Sequence, residues 1–440
     1  MDNEYWLSHN SHFTDADLFS EKDPELSILK LIKLIQPTTI IDELPIHQAG
    51  ICTIAGGYQT GKTTLLKNWM LKLLKQGISP QAIVYFPCKK IDDYHQLHKL
   101  LQKQRLKMPQ GEMAYIILDD ITVVRDWAKA LKALAEQNEL NQAVLILSSA
   151  DFNLKQKAHR ILSHYIHFEK SYTLYPLSFR ETVLLKQGDS VDSKTLYTEF
   201  YNYLIHGGNL KAINEFIAEG HLSQKTLLAY AEWINNEVER HGKQQNYLRE
   251  ILNATLKHYN RQISWNLLAQ ELTIDHPKTI GDYFLLLESM DIIFIQYALL
   301  EDKLSAAPKK ARKLMFTDPF IFHAINLWLS ANRNNHETQI EDTLQNPELI
   351  SKFVEACVIS LFRRLYPTFY IKAEGEINLA YVDDNRFWPI TISWTSQIRS
   401  KDLKQILKYN NGRILTKTDR SGIIEHIKTE PLPIALWQLE

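Results

Sequence analysis

The sequence predicts an α/β protein built around a parallel β-sheet, and three observations carry that prediction. Short, almost wholly apolar runs recur at Ile51–Ala55, Ala82–Phe86, Ala114–Leu118 and Val144–Leu147. Segments of helical character separate them, and strands this apolar belong to sheets covered on both faces. The first run leads straight into a glycine-bearing loop and an amphipathic helix, the strand, turn and helix order of a βαβ unit.

The elements follow in order along the chain. Asp23-Pro24-Glu25 is a helix start, with an N-cap acid, proline in the first turn and then a further acid. Leu26, Ile28, Leu29, Leu31, Ile32, Leu34 and Ile35 predict a helix that Pro37 closes and that packs against the next domain. The loop Gly56–Gly61 opens a helix running to about Lys75, with Leu65, Leu66, Trp69, Met70 and Leu73 as its apolar residues and Gly77 and Pro80 beyond its end. From about Leu196 to Ile274 the pattern is mainly helical. Ile292–Leu299 and Lys313–Phe316 read as strands of a small second unit. After Pro347 come a helix at Phe353–Leu365, strands at Phe369–Lys372, Glu376–Val382 and Trp388–Trp394, a helix near Lys401–Tyr409 and a strand at Arg413–Thr416.

A chain of 440 residues exceeds one ordinary hydrophobic core, so two to four domains are expected. Lys and Arg total 50 against 51 Asp and Glu, which excludes a global positive field and confines any nucleic-acid site to a local patch. Cys52, Cys88 and Cys357 lack zinc-type spacing and point to a reducing compartment. Met1 to Phe19 has no apolar stretch like that of a signal peptide, and no apolar run reaches the roughly 18 residues that span a bilayer. The expected setting is cytoplasmic, with no membrane partner.

Gly56-Gly57-Tyr58-Gln59-Thr60-Gly61-Lys62-Thr63 fits the pattern G-x-x-x-x-G-K-[ST] throughout. The glycines let main-chain N–H groups turn inward onto phosphate oxygens, and the helix that begins at Lys62 adds its positive end. Lys62 supplies a point charge to the β- and γ-phosphates, and the Thr63 hydroxyl is placed to ligate magnesium. Thr64 completes the nucleotide-binding string. The expected cofactors are ATP and Mg2+. Such a site needs a carboxylate at the end of a neighbouring buried strand, and Tyr115-Ile116-Ile117-Leu118-Asp119-Asp120 supplies it. Asp119 is the magnesium-associated residue. Asp120 stands where hydrolytic proteins of this class place a glutamate to orient the attacking water, and a missing methylene sets its carboxylate back by about 1.5 Å. The other reading of Asp120 is a strand-end acid that caps the next helix. Nucleotide binding is therefore better supported than fast hydrolysis.

With these residues in place the sequence resembles bacterial and archaeal AAA+-type ATPases that carry an uncharacterised, nuclease-like C-terminal domain. The resemblance spans roughly Ile51 to Thr418 and rests on the phosphate loop, on Leu118-Asp119-Asp120-Ile121 with Trp127 following, and on Tyr175-Pro176-Leu177-Ser178-Phe179-Arg180-Glu181. Gly207-Gly208 resembles a further landmark of that family. The resemblance implies a phosphate-loop ATPase core at 46–175 behind an N-terminal helical segment at 1–45. It also implies a helical lid at 176–240, a winged helix-turn-helix at 241–325 and a degenerate restriction-nuclease-like α/β domain at 326–440; a homo-oligomer, such as a ring, is the assembly a motor of this kind would adopt. Tyr58 stands where the family usually has arginine, and Ser148-Ser149 stand for a usual Thr-Gly-Ser, leaving Ser149 as the candidate sensor and Arg160 as a candidate for the family's arginine.

Within Ser264–Gln296, Trp265–Leu272 and Pro277–Met290 would be the two helices, Thr273–His276 the turn, and Ile292–Tyr297 the way into the wing. The candidate nucleic-acid contacts are Lys278 and the run Lys309, Lys310, Arg312 and Lys313. The run reads equally as a solvated loop. In the last domain the family shows Glu-x-Asp and Pro-Ile-Glu-x-Lys. Here the strands read Glu376-Ile377-Asn378 and Pro389-Ile390-Thr391-Ile392-Ser393, and one carboxylate among neutral oxygens holds a hard dication poorly. Nuclease chemistry is not expected. Asp92, His95 and His98 form a weaker metal candidate, read mainly as a solvated helix face. Two functions stay open: an ATP-dependent motor acting on DNA or a DNA-bound partner, and an ATP-gated switch that recruits a protein partner with little turnover.

Overall fold

The computed structural model describes residues 3–439 apart from 31, 36–38, 166–167, 275, 332–334, 396–397 and 399–402. Contacts divide the chain into two units, Met1–Tyr175 with Ser289–Asp291, and Pro176–Glu288 with Ile292–Glu440.

The first unit holds five strands: β1 (Gly50–Gly56), β2 (Ile83–Pro87), β3 (Ala114–Asp119), β4 (Ala143–Ser149) and β5 (Glu169–Leu174). They form one sheet in the order β2-β3-β4-β1-β5, with every pair parallel. Alternation sends Val84, Phe86, Ile116, Leu118, Leu145 and Leu147 to one face, against Leu97, Leu101, Trp127 and Leu131. Ile54, Ile83, Tyr85, Ile117 and Ile146 go to the other, against Leu66, Trp69 and Leu73. Burial on both faces is why the first four strands read as continuous apolar runs. β5, Glu-Lys-Ser-Tyr-Thr-Leu, is a half-exposed edge strand with no such signal, and the sequence did not reveal it. Because β4 lies between β1 and β3, its C-terminal end arrives beside both the phosphate loop and Asp119.

Residues before the sheet pack on it. The helix Pro24–Leu29 is capped by Asp23, which accepts from Glu25 N and Leu26 N. It stops six residues short of Ile35: Ile32, Leu34 and Ile35 are not helical. Leu31 and Pro37 lie outside the described residues.

The second unit begins with helices at Phe179–Gln187, Ser193–His206, Leu210–Glu219, Gln224–Arg240 and Gln245–Lys257, followed by Trp265–Glu271 and Pro277–Ser289. The string Pro176–Glu181 gains a physical role here. Ser178 and Glu181 form a capping box, Leu177 N donates to Gly208 O at 2.8 Å, and a Cβ on Gly208 would lie 1.9 Å from Leu177 O. The two strings of the resemblance thus dock on each other, and only glycine allows the approach.

The strands are β6 (Ile293–Leu300), β7 (Ser305–Ala306), β8 (Arg312–Phe316), β9 (Thr368–Lys372), β10 (Glu376–Asp383), β11 (Arg386–Ser393), β12 (Arg413–Thr416), β13 (Gly422–Ile424) and β14 (Ile427–Pro431). They make one sheet in the order β13-β14-β12-β11-β10-β9-β6-β7, with β8 on β6. The expected small separate unit is therefore corrected. Tyr297 and Ala298 pair in parallel with Phe369 and Tyr370, so the expected 241–325 and 326–440 segments share a sheet. The largely apolar run of β6 is what an interior strand requires. The helix expected at Phe353–Leu365 runs from Pro347 to Arg363 behind an Asn346 cap. Of the helix expected near Lys401–Tyr409, residues 401 and 402 lie outside the described residues, Leu403 is helical, and a 3-10 turn follows at Ile406–Lys408.

Candidate nucleotide-binding site

β1 is buried along its whole length and ends at Gly56. The chain then turns through Gly57–Gly61 into the helix Lys62–Lys75. Gln59 and Gly61 have left-handed φ values of 60° and 88°. At Gly61 that conformation is the glycine's purpose, since it swings the chain into the helix and leaves open space at the turn. The first N–H groups of the helix have no partners within it and point back at the loop.

Lys62 is buried, and its Nζ donates to Gly56 O at 2.8 Å and to Gly57 O at 2.7 Å. Among the described residues it has no ion-pair partner. Burial pulls its ammonium below the ordinary lysine range, and the charges of Asp120 and Asp119 offset part of that fall. A buried cation held only by main-chain dipoles is an anion site.

Thr63 Oγ1 donates to Asp119 Oδ2 at 2.7 Å. Tyr85 donates its hydroxyl to the same oxygen at 2.6 Å, and Ser148 donates to Asp119 Oδ1. Two hard oxygen donors, hydroxyl and carboxylate, thus meet at the mouth of the loop, and this donor set fits magnesium. Asp120 has φ 56°. Its N–H donates to Ser148 Oγ at 3.0 Å, and its carboxylate pairs with Lys89 Nζ at 2.9 Å. Although burial works against the charge, Asp120 and then Asp119 raise the Lys89 ammonium above its ordinary range. Thr60 Oγ1 donates to Gly57 O at 3.0 Å, within the loop itself, and Thr64 donates to Glu25 at 3.0 Å. Tyr58 is half-buried at the outer part of the loop.

The structure thus brings together Gly56, Gly57, Lys62, Thr63, Asp119 and Asp120. It puts Ser148, rather than the expected Ser149, on the Asp119 carboxylate and the Asp120 N–H. The Ser149 hydroxyl meets Thr122 Oγ1 at 2.5 Å and accepts from Asp151 N at 2.8 Å. Tyr85, Lys89 and Ser148 are the contacting residues that the sequence reading missed. Their signal was weak: a tyrosine inside an apolar strand, a lysine just past its end, and a choice between adjacent serines that only register decides. Arg160 is exposed on the helix Leu154–Leu162. Asp92 precedes the helix Tyr94–Arg105, so it shares no helical face with His95 and His98.

The expected basic patch changes most. Lys313 is 1% exposed and pairs with Glu355 at 3.1 Å and, more closely, with Glu376. It lies in β8 facing two carboxylates, so it is removed from the candidate nucleic-acid contacts. Arg312 is half-buried, its guanidinium 4.4 Å from the Trp265 ring and within bonding distance of Pro308 O at 3.2 Å. Lys278, Lys309 and Lys310 remain exposed. At the former acid positions, Asn378 Oδ1 accepts from Ile392 N at 2.9 Å, Thr391 is buried, and Ser393 lies 3.1 Å from Thr395 Oγ1.

The phosphate loop, the strand-end carboxylate and the parallel sheet define a P-loop domain. Residues 48–183 match the family model of the AAA domain, and residues 197–334 match that of a domain of unknown function, DUF8612. The chain is 31% identical over 164 residues to an uncharacterized protein of Haemophilus influenzae, a match that takes in 35% of this chain and 38% of that protein. Among solved structures, it is similar to the ORC2 protein of Aeropyrum pernix in ADPNP-ADP complexes (15% identity, TM-score 0.36, 64% of this chain and 88% of that one). It is similar also to the Holliday junction branch migration motor RuvB of Thermotoga maritima (13% identity, TM-score 0.31, 56% and 81%). No helix among the described residues is long and apolar enough to cross a membrane.

Proposed function

We propose that the chain binds ATP with magnesium at Gly56–Thr64 and uses nucleotide occupancy as a switch that governs a protein partner, with slow hydrolysis at Asp120. The observation that carries this reading is the state of Lys62: a buried ammonium with main-chain oxygens as its partners, beside a hydroxyl and a carboxylate 2.7 Å apart. Lys62 takes the β- and γ-phosphates, Thr63 and Asp119 flank the magnesium, and Ser148 orients Asp119 and Asp120. Magnesium, when bound, neutralises phosphate charge. Slow turnover follows from a general base that is one methylene short and already paired to Lys89.

The decisive experiment measures ATP affinity by calorimetry and ATP turnover with and without DNA, alongside Lys62→Ala and Asp120→Asn. Tight, Lys62-dependent binding with slow, Asp120-dependent turnover is expected. Absence of binding in the intact chain rules the reading out, and brisk turnover abolished by Asp120→Asn removes its switch character.

A second reading, action on DNA, is supported by the exposed Lys278, Lys309 and Lys310. In this reading the helices Trp265–Glu271 and Pro277–Ser289 would act together with the antiparallel β6–β8 pair as a winged helix. DNA-stimulated turnover, lost on Lys309→Glu with Lys310→Glu, would move this reading to first place. The C-terminal strands then serve binding or scaffolding in either case, since Lys313 already occupies Glu376. Free, buried cysteines support a cytoplasmic setting, and assembly as a homo-oligomer belongs to the same proposal.

A further inference from the structure

Asp119 Oδ2 accepts from Thr63 at 2.7 Å and from Tyr85 at 2.6 Å. Sheet register explains the second reach. Tyr85 pairs with Ile117, and Asp119 is the next residue on that face. Tyr85 is 1% exposed. Burial, and after it the charge of Asp119, pushes its phenol well above the ordinary range, so the hydroxyl keeps its proton and donates.

What fixes Tyr85 comes largely from outside the sheet. The Asn10 side chain donates to Tyr85 O at 2.9 Å and accepts from Tyr85 N at 2.9 Å, occupying the outer edge of β2 as a neighbouring strand would. His12 lies 3.0 Å from Ile83 O on the same edge. The Lys67 ammonium sits 3.6 Å from the centre of the Tyr85 ring. It is held there by Asp23 at 2.8 Å, in a pair with both side chains fully buried, and by His9 O at 2.7 Å. Main chain, ring and hydroxyl of one tyrosine are each gripped by a different group. Protecting a sheet edge from aggregation requires only a charge or a proline. Two-point pairing to a single residue, with a buried ion pair beneath its ring, fixes where that residue's hydroxyl lies.

The geometry points to Tyr85 as a positioning residue for Asp119, and to residues 9–23 as a clasp that sets it, so that the magnesium-dependent part of nucleotide affinity requires this segment to be seated. The inference rests on Asp119 being the carboxylate beside the metal. Groups that orient a metal-associated carboxylate from behind typically change metal affinity by about 10- to 100-fold when removed.

The test titrates a non-hydrolysable ATP analogue into the full chain in magnesium chloride and again in EDTA. The readout is the ratio of the two affinities, because a general loss of structure lowers both together. Tyr85→Phe, which removes only the hydroxyl, is expected to reduce the ratio by about tenfold while affinity in EDTA holds. Asn10→Ala moves the ratio the same way. If that variant does not fold, Asn10→Asp replaces it, keeping the acceptor for Tyr85 N and removing the donor to Tyr85 O. An unchanged ratio in Tyr85→Phe or in the folded Asn10 variant overturns the proposal, as do equal losses in both solutions. An unchanged ratio in Asp119→Ala shows instead that Asp119 was misread, and the proposal falls with it.

Discussion

Lys62 and Lys313 are both buried ammonium groups, one in each unit, and their neighbours give them opposite properties. Lys62 faces the main-chain oxygens of Gly56 and Gly57, and burial lowers its proton affinity. Lys313 is buried as deeply, yet Glu355 and Glu376 more than offset that burial and raise it above the ordinary range. A lysine surrounded by dipoles keeps its charge for a ligand. One clasped by two carboxylates has given it to the fold.

The largest effect is expected at Lys313. Lys313→Met leaves Glu355 and Glu376 without their cation, and breaking a buried pair in this way costs about 3–5 kcal/mol. Urea unfolding should show the loss in the second unit, with ATP affinity unchanged. Adding Glu355→Leu and Glu376→Leu to the same chain should restore much of the stability, because a dry replacement removes the unpaired charges as well. If ATP affinity falls in Lys313→Met, the assignment of this lysine to structure alone is broken.

Acid should separate the two units next. His206 and His323 in the second unit and His12 in the first are each lowered from 6.5 to about 4, chiefly by burial. Each therefore stays neutral in the folded state while its unfolded counterpart takes up a proton. The stability tied to these residues is intact above about pH 6.5 and is lost as the pH falls through 4. Each histidine contributes on the order of 3 kcal/mol to the loss. With two histidines held near 4 against one, and His9 of the first unit lowered by burial as well, the second unit should unfold at the higher pH. His323→Phe should bring the two transitions together in a circular-dichroism titration, and no change would show that other groups set the acid limit.

Lys62→Met sharpens the same contrast from the other side. ATP affinity should fall about a hundredfold, or about 2.8 kcal/mol. Thermal stability without nucleotide should hold, because removing a desolvated ammonium that lacks a carboxylate partner exposes no buried charge. A melting temperature that drops with affinity would mean that Lys62 also holds the loop together.

Sequence and structure agree where one residue type has one job. Gly56–Thr63 and the acids after Leu118 were legible because phosphate wrapping and strand-end placement restrict the choice of residue. The four buried strands were legible for the same reason. β5 was not, because an edge strand of mixed polarity lacks the apolar signature. Lys313 was misread because five neighbouring positions, Lys309 to Lys313, look like one basic run in sequence. A strand sends alternate side chains to opposite faces, and β8 starts at Arg312, so that run is split between solvent and interior. Ser148 and Ser149 fail the same way, since a one-residue difference in a strand reverses which side chain faces the site. The clasp on Tyr85 was beyond reach, because Asn10 and Tyr85 are 75 positions apart.

The smallest effect concerns a third lysine, intermediate between the other two. Lys89 pairs with a single carboxylate, that of Asp120, at 2.9 Å, and its side chain is 51% exposed. A pair this open to water contributes less than about 1 kcal/mol. If Asp120 is the base that orients water, the pair holds it out of use in the absence of nucleotide, and Lys89→Ala should raise turnover by no more than about fivefold with KM for ATP unchanged. The effect should shrink as salt is added, because solvent ions screen an exposed pair and leave Lys62 and Lys313 untouched. A fall in turnover would assign Lys89 the opposite task, that of supplying positive charge to the phosphates as Lys62 does. Its carboxylate partner would then be a resting contact that nucleotide displaces. The two outcomes differ in sign, so even a twofold change decides between them.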